Sequence, residues 1–452
     1  MNGPASAQPI SLANPGRFRH EVSSVCPQCL KSIPGEVVAT RDWVVMRKAC
    51  PEHGAFECVV SSDVAAYERM RHSPRVVRPP AQTTVPVSKG CPDDCGLCPA
   101  HEHRACLLIV EITSRCNLPC PVCLADAKLE GGDLSAAQVV SALEKLRDTE
   151  GGVTPLQFAG GEPTLHPELI EIVKGARTLG FGKLEIDSNG LLLASRASLA
   201  QELRAAGLTG VYLQMDTLDA KASSYIRGRD LLAQKLGAIE NCRSAGLQVV
   251  LSVTVVRGVN DHRIWDMIRF AADQRLTGVN FQSVVLSGRY PAELARGKER
   301  FTAGHFMRQV ELQSEGRLQA GDLMPVSCAD PRCGLLAYVV VKRDGELVPV
   351  NRFLGEERLR HGMAEFSEWE TLLREIGSSS ACCSCDGEEG ALEKLGSLLD
   401  GAECFSIGFH GMMDAWSFDQ ERARRCGVHK LTAEGKLMPF CLYNMKYRPQ
   451  GC

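Results

Sequence analysis

Leu107-Leu108-Ile109-Val110-Glu111-Ile112-Thr113-Ser114-Arg115-Cys116-Asn117-Leu118-Pro119-Cys120-Pro121-Val122-Cys123 decides how this chain is read. A strand-forming run leads straight into three cysteines spaced C-x3-C-x2-C. Three thiolates on a loop leaving a strand can ligate three irons of a [4Fe–4S] cluster. The fourth iron is then open to a small chelator, and the amino and carboxylate groups of S-adenosylmethionine (SAM) suit that role. One-electron reduction of such a complex cleaves the sulfonium and gives a carbon radical, chemistry supplied by a cofactor rather than a side chain. Cys116, Cys120 and Cys123 are therefore the candidate catalytic ligands. A zinc knuckle or, in a secreted protein, a disulfide framework are the competing readings of such thiols.

The bulk composition narrows the choice. With 44% apolar and 23% charged residues, the 452-residue chain is ordinary globular material, long enough for several domains. A net charge of −3 gives no overall basic footprint, so no nucleic acid partner is expected. No apolar run approaches the ~20 residues of a membrane span. Residues 1–20 lack the apolar stretch of a secretory signal and read as a flexible tail. The expected location is cytoplasmic, where thiols stay reduced and clustered cysteines are more often metal sites. The 21 cysteines crowd the two ends, and only Cys242 falls between Cys123 and Cys328.

That middle alternates strand-like and helix-like segments. Strands are expected at 107–113, 155–159, 183–187, 210–216, 247–254 and 278–285, with a helix between each pair. Ser135 and Gln138 form a capping-box signature, followed by Val139, Val140, Leu143 and Leu146 on one helical face. Six βα units in series predict an α/β fold with a parallel sheet, either open or curled into a partial barrel. Sites in such folds lie beyond the carboxyl ends of the strands. Those ends carry Gly160-Gly161-Glu162-Pro163, Asp187-Ser188-Asn189-Gly190, Gln214-Met215-Asp216 and, on the sixth, Gln282 leading to Arg289. The paired glycines let backbone approach a ligand closely. Glu162 can accept from an ammonium, Ser188 and Asn189 can meet ribose hydroxyls, and Gln214 and Asp216 face the same mouth.

Together the cysteine motif, Gly160-Gly161-Glu162-Pro163 and the six units resemble the radical SAM superfamily. The resemblance implies a partial (β/α)6 barrel with the cluster at its open end on Cys116, Cys120 and Cys123. It also implies cleavage of SAM to methionine and a 5′-deoxyadenosyl radical, with Gly160, Gly161 and Glu162 at the methionine amino group. A narrower resemblance, to the tetraether lipid synthase group also described in pterin methylation, rests on five segments. These are Cys26-Pro27-Gln28-Cys29, Cys50-Pro51-Glu52-His53, Gly90-Cys91 to Cys98, Ser327-Cys328 to Cys333, and Arg425-Cys426 with Pro439-Phe440-Cys441. It implies accessory metal sites. Where paired cysteines are expected near 426, this chain has Cys426-Gly427.

The flanking thiols suggest how the ends are organised. Cys26, Cys29, Cys50 and His53 form a knuckle pair able to hold one zinc or iron, with Cys58 a rival fourth ligand. Cys91, Cys95 and Cys98 suit an accessory [4Fe–4S] cluster completed from elsewhere, Cys106 being one choice. Cys328, Cys333, Cys426 and Cys441 head a C-terminal set that also holds Cys382, Cys383, Cys385, Cys404 and Cys452. The expected units are a tail at 1–20, a rubredoxin- or zinc-ribbon-like knuckle at 21–72, and a linker with the Cys91/Cys95/Cys98 segment at 73–106. The barrel follows at 107–290 and a cysteine-rich accessory-cluster domain at 291–452, with a solvated helix within 291–320. The first functional expectation is hydrogen abstraction from an unactivated C–H bond for carbon–carbon bond formation on a lipid-like substrate. The alternatives are C-methylation of a pterin-like ring and a non-catalytic iron–sulfur electron carrier. A reductant such as ferredoxin or flavodoxin is the expected partner, with peripheral membrane contact open for a lipid substrate.

Overall fold

The computed structural model describes residues 18–150, 152–296, 300–353, 356, 359, 403–432 and 435–448. Cys382, Cys383, Cys385 and Cys452 lie outside the described residues.

The N-terminal strands β1 (Arg19–Val25), β2 (Ser32–Ala39), β3 (Val44–Cys50) and β4 (Gly54–Ser61) form one antiparallel sheet in chain order. Its tight turns bring Cys26–Cys29 and Cys50–His53 to the same end. Val37, Val44, Met46 and Tyr67 make its small core, the last from α1 (Val64–His72). Residues 74–106 then run without helix or strand.

The six expected strands are all present. They are β5 (Leu107–Thr113), β6 (Leu156–Gly160), β7 (Leu184–Ser188), β8 (Gly210–Gln214), β9 (Gln248–Val255) and β10 (Gly278–Ser283), parallel and in sequential order. The first crossover helix, α2 (Ala136–Glu150), starts at the expected capping box. Ser135 N–H donates to Gln138 Oε1 at 2.8 Å, and Gln138 N–H donates to Ser135 Oγ at 3.2 Å. Helices α3 (Leu169–Thr178), α4 (Leu191–Ser195), α5 (Ala197–Ala206), α6 (Ala220–Arg227), α7 (Leu232–Ser244) and α8 (Ile264–Asp273) fill the other crossovers.

Strand alternation splits the sheet into two chemically different faces. Leu108, Val110, Leu156, Phe158, Leu184, Ile186, Val211, Leu213, Leu251 and Phe281 pack with the helices in the main core. The residues between them point the other way: Glu111, Gln157, Asp187, Tyr212, Gln214, Ser252, Thr254, Asn280 and Gln282. One face is thus apolar, while the other carries these polar groups among Ile109, Ala159 and Val250. Cys242 is a buried core thiol on α7, as its helical spacing suggests.

The C-terminal segment adds to this same sheet at both edges. Strand β11 (Met324–Pro325) pairs with β12 (Gly334–Val341), which also pairs with β13 (Leu347–Pro349). Strand β14 (Glu403–His410) lies parallel to β10 and antiparallel to β12. At the far edge β15 (Val428–Leu431) lies parallel to β5 and pairs with β16 (Leu437–Pro439). The expected boundary between 290 and 291 therefore falls within one continuous sheet. The helix expected in 291–320 is α9 (Ala303–Gln313), and it is not simply solvated: Phe306, Met307 and Val310 pack in the core.

Candidate functional site

Beyond the carboxyl ends of β5–β10 a cleft holds about 1040 Å³ of free space, its mouth included. Cys116, Cys120 and Cys123 border it together with Gly160, Gly161, Asp187, Ser188, Asn189 and Gln214. Nearly all the residues read from the strand ends therefore meet in one place. Burial pushes the Cys116 thiol up to about 11 and raises that of Cys120, so these sulfurs ionise only against a cation. A soft, thiolate-binding metal cluster supplies that charge, and the donor set fits it.

The glycines and Glu162 are held tightly by contacts within the protein. Gly160 has φ +131°, and a Cβ there would lie 2.0 Å from the Thr113 carbonyl oxygen. One on Gly161 would lie 2.1 Å from the Arg115 carbonyl oxygen. The close approach that demands glycine is thus to the cysteine-bearing segment itself. Glu162 is fully buried, and both its carboxylate oxygens are hydrogen-bonded. Oε1 accepts from Ser188 Oγ at 2.7 Å, Thr164 Oγ1 at 2.5 Å and Thr164 N–H at 3.2 Å; Oε2 accepts from Asn189 N–H at 2.6 Å. It braces the β6 and β7 loops together, and it does not border the cleft. Ser188 Oγ is occupied in turn, accepting from Gly190 N–H at 3.0 Å. Asn189 Nδ2 reaches Asn117 Oδ1 at 2.8 Å and stands 3.9 Å from Cys116 Sγ.

Asp187 is the carboxylate left over. It borders the cleft, and among the described residues its side chain has no hydrogen-bond partner. Burial, then the nearby charge of Glu162, push its pKa up to about 7, against the pull of Arg227 and Lys430.

Asp216 is committed elsewhere. Arg227 donates to it from Nε at 2.6 Å and Nη2 at 2.8 Å, and Thr254 N–H adds a bond at 2.8 Å. Arg227 Nη1 also donates to the Val122 carbonyl at 3.1 Å, tying β8 to the cysteine loop. Arg289 Nε donates to the Cys120 carbonyl at 2.7 Å, bracing the loop from β10. Lys235 donates to Gln214 Oε1 at 3.0 Å, and burial lowers its pKa to about 8. The sequence names Arg289 but gives Arg227 and Lys235 no signal, since they sit on crossover helices. Arg227→Met is expected to cost about 3 kcal/mol, because Asp216 would be left buried without its counter-charge. Urea unfolding of the two proteins measures it.

In the N-terminal sheet, the ligand atoms of Cys26, Cys29, Cys50 and His53 all lie within 4.8 Å of one another. His53 Nδ1 is 3.6 Å from Cys26 Sγ and 3.5 Å from Cys50 Sγ. This is a preformed four-ligand metal site. Cys58 is not part of it: its thiol donates to the Trp416 carbonyl at 3.1 Å.

The other thiols gather in two groups. Cys91, Cys95 and Cys98 are electrostatic neighbours. Cys333, Cys426 and Cys441 are likewise, and Cys106 adjoins both Cys328 and Cys426. A Cβ at Gly427 would lie 2.8 Å from Cys106 Sγ, so Cys106 fills the space where a second cysteine was expected. His166 is structural, its ring bonded to the Leu134 carbonyl at 2.7 Å and to Glu168 N–H at 3.0 Å. His429 faces His101 at 2.9 Å. Met413 and Phe418 are core, whereas Met412 borders the cleft.

Comparison with known proteins fits this geometry. Residues 110–271 match the radical SAM superfamily, and residues 18–62 match the HMPTM N-terminal zinc ribbon domain. The 7,8-dihydro-6-hydroxymethylpterin dimethyltransferase of Methanocaldococcus jannaschii is 33% identical over 94% of this chain and 94% of its own length. The chain belongs to the radical SAM superfamily. A probable GTP 3′,8-cyclase of Pyrococcus abyssi is 34% identical over 36% of the chain and 52% of its own length. Streptococcus suis SuiB, solved with its precursor peptide SuiA, covers 48% of the chain at 16% identity and a TM-score of 0.41. As a radical SAM enzyme the protein takes a [4Fe–4S] cluster and SAM, with a further metal ion in its zinc ribbon. Its fold is α/β with a parallel sheet. Among the described residues, no helix is long and apolar enough to cross a membrane.

Proposed function

We propose that this radical SAM enzyme methylates a pterin-like ring. The observation that carries the reading is the polar cleft face: Asp187, Gln214, Ser252, Thr254 and Gln282 line the space beside the three thiols. A lipid chain there would leave the Asp187 carboxyl and Gln282 Oε1 without partners, each at about 1–3 kcal/mol. A polar heterocycle satisfies them. The near full-length likeness to a pterin dimethyltransferase points the same way. Lipid coupling, the first expectation, is less well supported.

In this reading β5–β10 curve into a partial barrel, and the C-terminal strands with their thiols close its open side. Cys116, Cys120 and Cys123 hold the cluster. Bound together, the cluster and SAM supply a 5′-deoxyadenosyl radical when an electron arrives. Gly160 and Gly161 form the wall for the methionine portion, and Asp187 rather than Glu162 faces its ammonium. Asn189, at the lip beside Cys116, orients the ribose end. Arg227 and Arg289 hold the cysteine loop still by binding its carbonyls. Cys91, Cys95 and Cys98, and the group of Cys328, Cys333, Cys426 and Cys441, serve accessory clusters. Cys26, Cys29, Cys50 and His53 hold zinc. A ferredoxin- or flavodoxin-like donor supplies electrons.

The test is anaerobically reconstituted protein with reductant, methyl-labelled SAM and 7,8-dihydro-6-hydroxymethylpterin. Labelled methyl on the pterin carbon skeleton is the expected result. Fully loaded protein that cleaves SAM yet leaves the pterin unmodified would overturn this reading.

A further inference from the structure

A chain of hydrogen bonds crosses the polar face from β10 through β8 and β9 and back to β10. Asn280 Nδ2 donates to the Tyr212 hydroxyl. Burial pushes the Tyr212 pKa well above its ordinary value, so the phenol keeps its proton. Ser252 on β9 neighbours the same hydroxyl. Gln282 Nε2 donates to the same Ser252 Oγ at 2.8 Å. With Gln282 donating to its oxygen, the Ser252 hydroxyl has its own proton to give to another acceptor. Gln282 is fixed as well: its amide is planar, so with Nε2 on Ser252, Oε1 lies on the other side. Among the described residues Gln282 Oε1 has no partner. The far end is locked, since Asn280 Oδ1 sits where a Cβ on Gly408 would be, 2.3 Å away.

Ser252 and Gln282 both border the cleft. They offer one acceptor and one donor side by side, oriented before any ligand arrives. Met412 and Phe440 border the same cleft and are half-buried, giving it apolar surface suited to the faces of a flat ring. None of these four polar groups touches the cysteine motif through a hydrogen bond, so they are free of the work of holding the cluster.

We propose that Gln282 and Ser252 form the specificity subsite for the substrate: Gln282 Oε1 accepts a ring N–H, and Ser252 Oγ donates to the carbonyl beside it. The matching ligand chemistry is a lactam edge, as in a 4-oxo-pyrimidine or pterin ring. The inference rests on the pterin reading above and adds which edge is read and by which residues. Gln282 is a binding residue and takes no part in cleaving SAM.

The experiment uses reconstituted holoprotein and two probes, 7,8-dihydro-6-hydroxymethylpterin and its N3-methyl analogue, which lacks the lactam N–H. Binding is followed by pterin fluorescence in wild type and Gln282→Leu. Iron and sulfide content and thermal unfolding serve as the control for folding and cluster loading. The inference expects Gln282→Leu to bind the parent pterin about tenfold or more weakly at equal cluster loading. It also expects the analogue to bind wild type tenfold more weakly than the parent, and both proteins equally. An analogue that binds wild type as tightly as the parent overturns it, a result readable even if the variant does not fold. Unchanged affinity in folded Gln282→Leu overturns it too. Wild type that binds neither probe overturns the pterin reading itself, and this inference with it.

Discussion

Cys120→Ala is expected to abolish release of 5′-deoxyadenosine from anaerobically reconstituted protein supplied with SAM and a strong reductant. Cys120 is buried, with 7% of its surface accessible, and shares its cleft with Cys116 and Cys123. The other described thiols are engaged in groups of their own or packed in the core, so none stands ready to replace it. Losing one of three ligands leaves two irons' worth of thiolate for a cluster that already spends one iron on its cofactor. The expected activity is background, a loss of at least about a thousandfold, as when a member of a catalytic unit is removed. Cys242→Ala is the contrast: a core thiol far from the cleft, costing about 1 kcal/mol of stability and leaving cleavage intact. Wild type that releases no 5′-deoxyadenosine with iron and sulfide fully loaded would sink the radical reading, and the electron-carrier alternative would take its place.

The strands of the central sheet were legible because their two faces differ in the sequence itself. Leu184, Ile186 and Ser188 alternate with Glu185 and Asp187, and such a pattern has one way to lie on a core. The cysteine ligands were legible because their chemistry depends on spacing along one loop. What lay beyond the sequence was set by tertiary pairing. Glu162 reads as a free carboxylate until β7 brings Ser188 and Asn189 to it. Arg227 reads as an ordinary helix-end arginine until Asp216 and the Val122 carbonyl converge on it. Cys58 sits eight residues after Cys50, near enough in sequence to compete for a metal, yet β4 carries its thiol to Trp416 instead. The C-terminal strands join both edges of the sheet, pairings between residues hundreds of positions apart that no local pattern encodes.

Asp187 and Glu162 should respond to substitution in opposite ways, although both are carboxylates at the same strand ends. Asp187 has a pKa near 7 in the fold and 3.8 as its ordinary value. The folded protein therefore holds a proton between those values that the unfolded chain releases. Stability from this group is full below about pH 4 and is lost as the pH rises through 7. Asp187→Asn removes that loss, so at pH 8 the variant should be the more stable by roughly 2–4 kcal/mol. The same change takes away the counter-charge for a ligand ammonium, so SAM affinity should fall about 10- to 100-fold. In wild type, SAM should bind more tightly as pH rises from 5.5 to 7, by up to about tenfold per unit, because the carboxyl must first ionise. The charged groups around it are Glu162, Arg227, Lys430 and Glu111, of which only the acids oppose ionisation. The variant should lose this pH dependence. Glu162→Gln does the reverse: an amide N–H₂ in place of one oxygen meets at least one of the donors that the carboxylate accepts, which costs about 2–3 kcal/mol of stability, and SAM affinity suffers only as the loops loosen. Thermal unfolding at pH 8 and SAM titration from pH 5.5 to 8 on both variants decide the matter. If Asp187→Asn is destabilised, or binds SAM as wild type does at every pH, Asp187 is structural and the ammonium sits elsewhere. Gain of stability with loss of ligand is the signature of a residue held under electrostatic strain for the molecule it receives.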